Sequence, residues 1–107
     1  MSPYLGVIED DKQIPEVYSL SQNYPNPFNP YSTISFGLPE QAYIRLTIYD
    51  ILGRKVRTLM DKRLEPGYHE IVWNGKDNHG NNVSSGMYLY AIQAGHFISV
   101  RKMVLLR

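Results

Sequence analysis

Residues 20–30 read Leu20-Ser-Gln-Asn-Tyr-Pro-Asn-Pro-Phe-Asn-Pro30, and the rest of the chain is organised around this stretch, here called the Asn-Pro segment. Each proline fixes its own φ at about −65° and pushes the preceding residue toward extended conformations, so the segment is stiff and non-helical. Nothing in it suggests a catalytic loop, and we expect it to form an edge of the fold. From Ser32 to Arg107 apolar and polar residues alternate with interruptions, which predicts β-strands.

The alternation predicts an all-β protein, a seven-stranded immunoglobulin-like antiparallel β-sandwich. Two of the strands are expected at Thr33–Leu38 and Tyr43–Tyr49, and a hairpin is expected at the end of the chain, around Ala94-Gly-His96. The residues predicted to point into the core are Ile34, Phe36, Leu38, Ile44, Leu46, Ile48, Ile71 and Trp73.

Two parts of the chain differ in this pattern. Residues 1–16 alternate little and are predicted to be a linker or flexible N-terminal arm, whereas residues 17–107 form the sandwich domain. Within the domain, Val17–Gln22 is predicted to be the first strand and Lys55–Met60 a strand with outward basic residues, which discourage edge-to-edge pairing.

Composition limits the possible functions. The 107 residues correspond to one domain, and 11 basic against 10 acidic residues leave no field that attracts nucleic acid or an anionic membrane. The absence of cysteine excludes disulfides, thiol catalysis and thiolate metal sites. No apolar run approaches the roughly 18 residues of a membrane span, so no transmembrane segment is predicted.

Several motifs resemble, in order, those of a known family. They are Asn-Tyr-Pro-Asn-Pro-Phe-Asn-Pro (23–30), Tyr-Asp-Ile-Leu-Gly-Arg (49–54), Gly-Tyr-His-Glu-Ile-Val-Trp-Asn-Gly (67–75), Ser-Gly-Met-Tyr-Leu-Tyr (85–90) and Arg-Lys-Met-Val-Leu-Leu-Arg (101–107). Together they resemble the C-terminal type A sorting domain of the type IX (Por) secretion system, over about Pro15 to Arg107. The middle of the chain is also similar to the immunoglobulin-like domain of flagellar hook-capping proteins.

The resemblance implies a non-catalytic C-terminal sorting signal that directs a larger exported cargo through the periplasm to the cell surface. The implied partners are the type IX translocon and a sortase-like protease at the outer membrane. The implied recognition residues are Gly86, Tyr88, Gly95 and Lys102. Because Met1–Asp11 lacks a basic region followed by an apolar core, we expect the signal peptide to belong to a larger precursor.

No motif predicts an enzyme. His69, His79 and His96 are too widely spaced to suggest metal ligands, and Ser84-Ser-Gly86 lacks the helix that follows a nucleophile elbow. No two carboxylates stand at a spacing that suggests glycosidase chemistry. We therefore expect no cofactor.

The best metal candidate is a calcium site in the loop Asp77-Asn-His-Gly-Asn-Asn82. Calcium prefers several oxygen ligands from one compact loop, and this loop offers them from Asp77, Asn78, Asn81, Asn82 and backbone carbonyls. It contains only one carboxylate, however. The alternative is a turn in which these side chains cap their own backbone.

Two further groups of residues have two interpretations each. The basic residues Arg45, Arg54, Lys55, Arg57, Lys62 and Arg63 could bind phosphate or lipopolysaccharide if they share a face, or could simply be solvated. The strand tyrosines Tyr43, Tyr49, Tyr88 and Tyr90 could form an exposed row for sugar or partner binding, or could line the core.

The apolar terminal stretch Val100–Arg107 is either paired inside a sheet or open to a partner. This leaves two alternatives to a sorting signal. The chain could be a structural subunit of an extracellular filament or appendage that self-associates by strand exchange, with the arm as donor through Tyr4, Leu5, Val7 and Ile8. It could also be a carbohydrate-binding surface module, which requires several tyrosines exposed on one face.

Overall fold

The computed structural model describes residues 13–107, which form two antiparallel sheets packed face to face. The strands are β1 (Ser19–Leu20), β2 (Ser32–Leu38), β3 (Ala42–Asp50), β4 (Lys55–Leu64), β5 (Gly67–Trp73), β6 (Gly86–Ala94) and β7 (Phe97–Leu105). One sheet has the order β1-β2-β5 and the other β4-β3-β6-β7. The predicted seven-stranded immunoglobulin-like sandwich is confirmed. Within the described residues, no helix has the length and apolarity that a membrane span requires.

The core lies between the sheets and contains the side chains that the alternation of β2 and β3 predicts. Its largest buried side chains are Trp73, Tyr90, Phe28, Phe36, Ile34, Leu38, Ile44, Leu46, Ile48, Ile92, Met103 and Leu105. Of the predicted core residues, Ile71 alone is only partly buried. It lies on β5, an edge strand, where the inner face is incompletely covered.

Two strand boundaries differ from the prediction. The first strand contains only Ser19–Leu20, because these residues pair with Gly37 and Phe36 before the chain leaves the sheet. β4 runs on past Met60 because its register with β3 continues as far as Ala42. The predicted strand donors of the N-terminal arm lie outside the described residues.

The Asn-Pro segment lies along the edge of the last strand. Phe28 donates its N–H to the Val104 carbonyl (3.0 Å) and accepts a hydrogen bond from the Leu106 N–H (2.9 Å), as a parallel strand does. Oδ1 of Asn26 accepts the Val104 N–H at 2.9 Å. The Phe28 ring is buried, and its centroid lies 5.8 Å from the centroid of the Trp73 ring. The segment therefore covers the second half of β7 and contributes a side chain to the core.

A buried polar cluster holds the start of this segment. The Tyr90 hydroxyl accepts the Asn23 N–H (2.8 Å) and donates to the Ser21 carbonyl (2.7 Å). Nδ2 of Asn23 donates to Ser32 Oγ (2.8 Å), which in turn donates to the Pro25 carbonyl (2.8 Å). Burial raises the pKa of Tyr90, which keeps its hydroxyl protonated and able to donate. Within the described residues, no buried side-chain N or O atom of the fold lacks a partner.

Candidate interaction surface

The four-stranded sheet has an outer face, which we define as the side chains that point away from the core. On three of its four strands, β3, β6 and β7, these are Tyr43, Arg45, Thr47, Tyr49, Met87, Leu89, Ala91, Gln93, Ile98, Val100, Lys102 and Val104. Ile98 is 66% exposed and Val100 is 55% exposed. Thr47 pairs with Ala91, which pairs with Val100, so small residues lie between larger ones. The outer face is thus partly apolar and uneven.

Two shallow depressions adjoin each other on the outer face. One, of about 170 Å³, is lined by Arg45, Thr47, Tyr49, Ala91, Ile92, Gln93 and Ile98. The second, of about 220 Å³, is lined by Tyr43, Arg45, Gln93 and Gly95. Because they share Arg45 and Gln93, they form one groove that follows β6. The guanidinium of Arg45 lies 3.5 Å from the Asp61 carboxylate, so its charge is partly neutralised.

The edge strand β4 is protected against pairing with another chain. Asn78 donates its N–H to the Val56 carbonyl and accepts the Thr58 N–H through Oδ1, both at 3.0 Å. The β3–β4 register also shifts twice, which interrupts a regular edge. Charged residues follow along the strand, at Lys55, Arg57, Asp61, Lys62 and Arg63. These are devices that discourage edge-to-edge association.

The opposite edge strand, β7, is covered over only part of its length. Both backbone groups of Val104 bond to the Asn-Pro segment, and Nε2 of Gln22 donates to the Lys102 carbonyl at 2.7 Å. Alternate residues of an antiparallel strand point their N–H and C=O groups to the same side. The backbone groups of Ile98 and Val100 therefore point away from β6, toward the open edge, as those of Lys102 and Val104 do. Within residues 13–107 the outward groups of Ile98 and Val100 have no hydrogen-bond partner.

Two turns with the sequence Asp-x-x-Gly-x have the same backbone. The Asp50 turn (Asp50–Arg54) joins β3 to β4, and the Asp77 turn (Asp77–Asn81) lies between β5 and β6. In each, the aspartate N–H donates to the carbonyl of the fifth residue and the glycine N–H donates to the aspartate carbonyl, at 2.9 or 3.0 Å. The glycine φ is +84° in both, a conformation that favours glycine.

The side chain of Asp50 completes its turn. Oδ1 accepts the N–H groups of Leu52 and Arg54 at 2.9 Å, and Oδ2 accepts from Nε of Arg54 at 2.7 Å. The bond from the Arg54 backbone, aided by the guanidinium and opposed by partial burial, holds the pKa of Asp50 below its usual value. At the tip, Ile51 and Leu52 are 67% and 73% exposed.

Asp77 has the same role in the loop that sequence suggested as a calcium site. Its Oδ1 accepts the N–H groups of Asn81 and His79 at 2.9 Å, and the bond from Asn81 is the main cause that lowers its pKa. The candidate ligand Asn78 already accepts from Thr58. Among the described residues no three His, Cys, Asp or Glu side chains form a metal-binding group. Calcium stays a prediction, and an ion here competes with these backbone donors.

The four predicted recognition residues do not share a surface. Gly86 begins β6 and Gly95 lies in the turn after it. Tyr88 is in the core, where its hydroxyl donates to the Ser84 carbonyl at 2.6 Å. Lys102 is exposed on the outer face, on the opposite side of the sheet. Their recognition role stays a prediction.

The basic residues that sequence grouped together are divided by the fold. Arg45 and Arg63 lie on the outer face, whereas Arg54 pairs with Asp50 in its turn. The guanidinium of Arg57 reaches the carbonyl of Asp77 at 3.4 Å. The six cations therefore do not form one anion-binding surface.

The strand tyrosines divide in the same way, with Tyr43 and Tyr49 on the outer face and Tyr88 and Tyr90 in the core. The sequence left open whether the stretch Val100–Arg107 is paired or open to a partner, and within residues 13–107 it is both: Val104 is covered, whereas the edge at Val100 and its neighbour Ile98 is open. The available signal was that β7 carries apolar residues on both faces, although a strand with one buried face needs them on one only.

Comparison with known protein families matches this sequence to one of them. A model described as the FlgD Ig-like domain matches residues 26–96, well over half of the chain. The chain belongs to the FlgD Ig-like domain family. The match begins inside the Asn-Pro segment and ends in the turn before β7, so it includes β2 through β6.

Curated FlgD relatives agree with this assignment. The basal-body rod modification proteins FlgD of Salmonella typhimurium (strain LT2) and Salmonella typhi are each 40% identical over 68 residues, which is 61% of this chain and 29% of each relative. The chain thus spans less than a third of their length. The crystal structure of FlgD from P. aeruginosa aligns with a TM-score of 0.56 and 20% identity, over 74% of this chain and 67% of that one, and shows the same fold.

Two Porphyromonas gingivalis structures also contain this sandwich. Dimeric latent PorU aligns with a TM-score of 0.66 and 21% identity, over 86% of this chain and 9% of that one. PorZ, described as an essential bacterial surface component of the type IX secretion system, aligns with a TM-score of 0.54 and 26% identity, over 84% and 11%. The likeness to PorU shows the fold alone, and neither likeness confirms the predicted partners.

The prediction that the chain acts chiefly as a type IX sorting signal is wrong. The family model and both Salmonella relatives assign it to the FlgD Ig-like domain instead. The alternative of a structural subunit, which the sequence left open, agrees better with these matches.

Proposed function

We propose that this chain is a non-catalytic structural domain of a FlgD-like protein, and that it takes part in assembling a cell-surface appendage such as the flagellar rod or hook. The observation that carries the proposal is the family match over residues 26–96, with curated relatives named for modification of the basal-body rod. Because the chain spans 29% of those relatives, we assign it the role of one domain in a larger assembly protein. The proposal places the domain outside the cytoplasm, secreted or at the cell surface.

The outer face supports a role in protein contact. Ile98 and Val100 are exposed apolar residues on β7, and polar Arg45, Gln93 and Lys102 lie around them on the same face. Exposed apolar groups with a polar surround are typical of surfaces that bind other proteins. The depressions on this face are shallow, and a flat partner fits them better than a small substrate does.

An in-frame deletion of residues 13–107 in the bacterium that encodes the chain tests the proposal. We expect the truncated protein to be produced and the appendages counted by electron microscopy to be lost. A matched control carries Tyr68→Ser, an exposed residue on the other sheet, and keeps normal appendages. Appendages of normal number and length in the deletion strain contradict the proposal.

Carbohydrate binding is a second candidate because Tyr43 and Tyr49 flank the groove together with Arg45 and Gln93. Aromatic rings with a cation between them suit an acidic sugar. Affinity electrophoresis in gels that contain alginate, with dextran as the neutral comparison, tests this. Retardation by alginate that Tyr43→Ala abolishes supports the candidate, and equal mobility in both gels rejects it.

A further inference from the structure

The outer edge of β7 is divided at Lys102 into a covered half and an open half. From Lys102 to Leu106 the Asn-Pro segment, through Gln22, Asn26 and Phe28, bonds to the outward backbone groups. From Ile98 to Lys102 the outward N–H groups, and the carbonyls of Ile98 and Val100, have no partner within residues 13–107. Unpaired backbone groups along a strand are a template for another strand.

The open half of β7 lacks the protection found on β4. Two of its three outward-facing residues, Ile98 and Val100, carry exposed apolar side chains, and only the third, Lys102, is charged. No register shift interrupts the pairing of this half with β6. It also contains no proline. The same sheet therefore has one edge built to resist pairing and one short stretch built to accept it.

We propose that a second copy of this chain pairs with the open half of β7, strand against strand and antiparallel, so that two four-stranded sheets become one continuous sheet. The pairing is centred on Val100, which lies opposite Val100 of the partner subunit. This inference rests on the proposed structural function and identifies the surface through which the domain self-associates.

The charges of β7 favour a second copy in this register. Ile98 lies opposite the partner subunit's Lys102, and Arg101 lies opposite the partner's Ser99, so no two cations face each other. A shift that centres the pairing on Arg101 places two arginines opposite each other and runs the partner into the covered half. The bonds that the Asn-Pro segment makes to Lys102, Val104 and Leu106 thus exclude registers centred beyond Val100.

The backbone geometry allows about four new hydrogen bonds without displacing an existing one. Two join the Val100 groups of the two copies, and two join each Ile98 carbonyl to the partner's Lys102 N–H. The Lys102 carbonyl already accepts from Gln22 and adds a further bond only if it accepts twice. Ile98 and Val100 of both copies then lie side by side on the joined outer face.

Sedimentation velocity of the full chain, from micromolar to near-millimolar concentration, tests the pairing. We expect a reversible dimer in the wild type. Ile98→Lys places a lysine opposite the partner's Lys102, and we expect the dissociation constant to rise at least about tenfold. The double variant I98K/K102E places opposite charges there, and we expect it to restore the dimer. Val72→Lys, an exposed valine on edge strand β5, is the matched control and leaves the dimer unchanged.

A cysteine crosslink gives a second measurement because the chain contains no native cysteine. Directly opposed residues in a hydrogen-bonded antiparallel pair have Cα atoms about 5.5 Å apart, which suits a disulfide. We expect Val100→Cys to form covalent dimers under mild oxidation and Val72→Cys to remain monomeric. Failure of Val100→Cys to crosslink faster than this control overturns the pairing.

Other outcomes also separate the possibilities. A wild-type monomer at all concentrations, or a dimer that Ile98→Lys leaves intact, overturns the inference. Loss of the dimer on charging the N-terminal arm with Leu5→Asp and Val7→Asp, while Ile98→Lys has no effect, assigns the contact to a donated N-terminal strand instead. Normal appendages in the deletion strain reject the proposed function, whereas the pairing stands or falls on these measurements alone.

Discussion

The Asp50 turn and the Asp77 turn share a backbone but not a role. In both, an aspartate accepts two N–H groups and a glycine at φ +84° closes the turn. The second residue of the Asp50 turn is Ile51, which is exposed at the tip of a hairpin. The second residue of the Asp77 turn is Asn78, which covers the edge of β4. The aspartate and glycine therefore set the conformation, and the residues between them are free to serve different purposes.

Replacing the two aspartates breaks both turns and has the largest expected effect. Asp50→Ala removes three hydrogen bonds, two from backbone N–H groups and one from the Arg54 guanidinium. Asp77→Ala removes two hydrogen bonds, both from backbone N–H groups. We expect calorimetry to show a fall in thermal midpoint of roughly 4–8 °C for Asp50→Ala and a smaller fall for Asp77→Ala. Asp61→Ala, which loses one exposed ion pair, serves as control with little change. A larger fall for Asp77→Ala contradicts the comparison.

Exchanging the second residues separates the roles of the two turns. Asn78→Ile leaves the Thr58 N–H without its acceptor, and we expect the free energy of unfolding to fall by about 1 kcal/mol. Ile51→Asn replaces an exposed side chain and changes it by less than about 0.5 kcal/mol. Urea unfolding measures both. Equal losses in the two variants argue against a structural role specific to Asn78.

Lowering the pH tests the aspartates of both turns and has the smallest expected effect. Both aspartates have folded-state pKa values below the unfolded value of about 3.9, so their stabilisation is complete above that pH and is lost as the pH falls through the folded-state values. The double variant D50N/D77N keeps an oxygen acceptor at each site but has no charge there. We expect its thermal midpoint to fall less steeply than that of the wild type below about pH 4. If the thermal midpoints of the two proteins fall in parallel with pH, the pKa values of the two carboxylates do not differ between the folded and unfolded states.

The sequence predicts the strands where one face meets the core and the other meets water. In β3 the alternation of Ile44, Leu46 and Ile48 with polar residues predicts burial correctly, because period two reports directly which face is inward. It fails at Thr47, which points outward and is nonetheless buried. Neighbouring strands bury Thr47, and the alternation within one strand carries no information about its neighbours.

The interaction surface is less predictable because it depends on contacts between distant residues. Asn26 and Asn78 cover the two edges of one sheet, yet in sequence they are ordinary turn residues. Tyr90 continues the alternation of β6, but nothing local indicates that its hydroxyl binds Ser21 and the Asn23 N–H. The open edge at Val100 is visible only after the length of the covered part is known.

The Asn-Pro segment also determines when the domain can finish folding. Its partners on β7 are separated from it by about eighty residues, as in the bond from Gln22 to Lys102. Pairings between residues so distant in sequence require a large loop to close before any stabilisation is gained, which makes folding slow. During synthesis, residues 20–30 emerge from the ribosome long before β7 and have no partner there. The sandwich therefore becomes complete only after β7 has been released from the ribosome, and until then its early strands depend on solvent or chaperones.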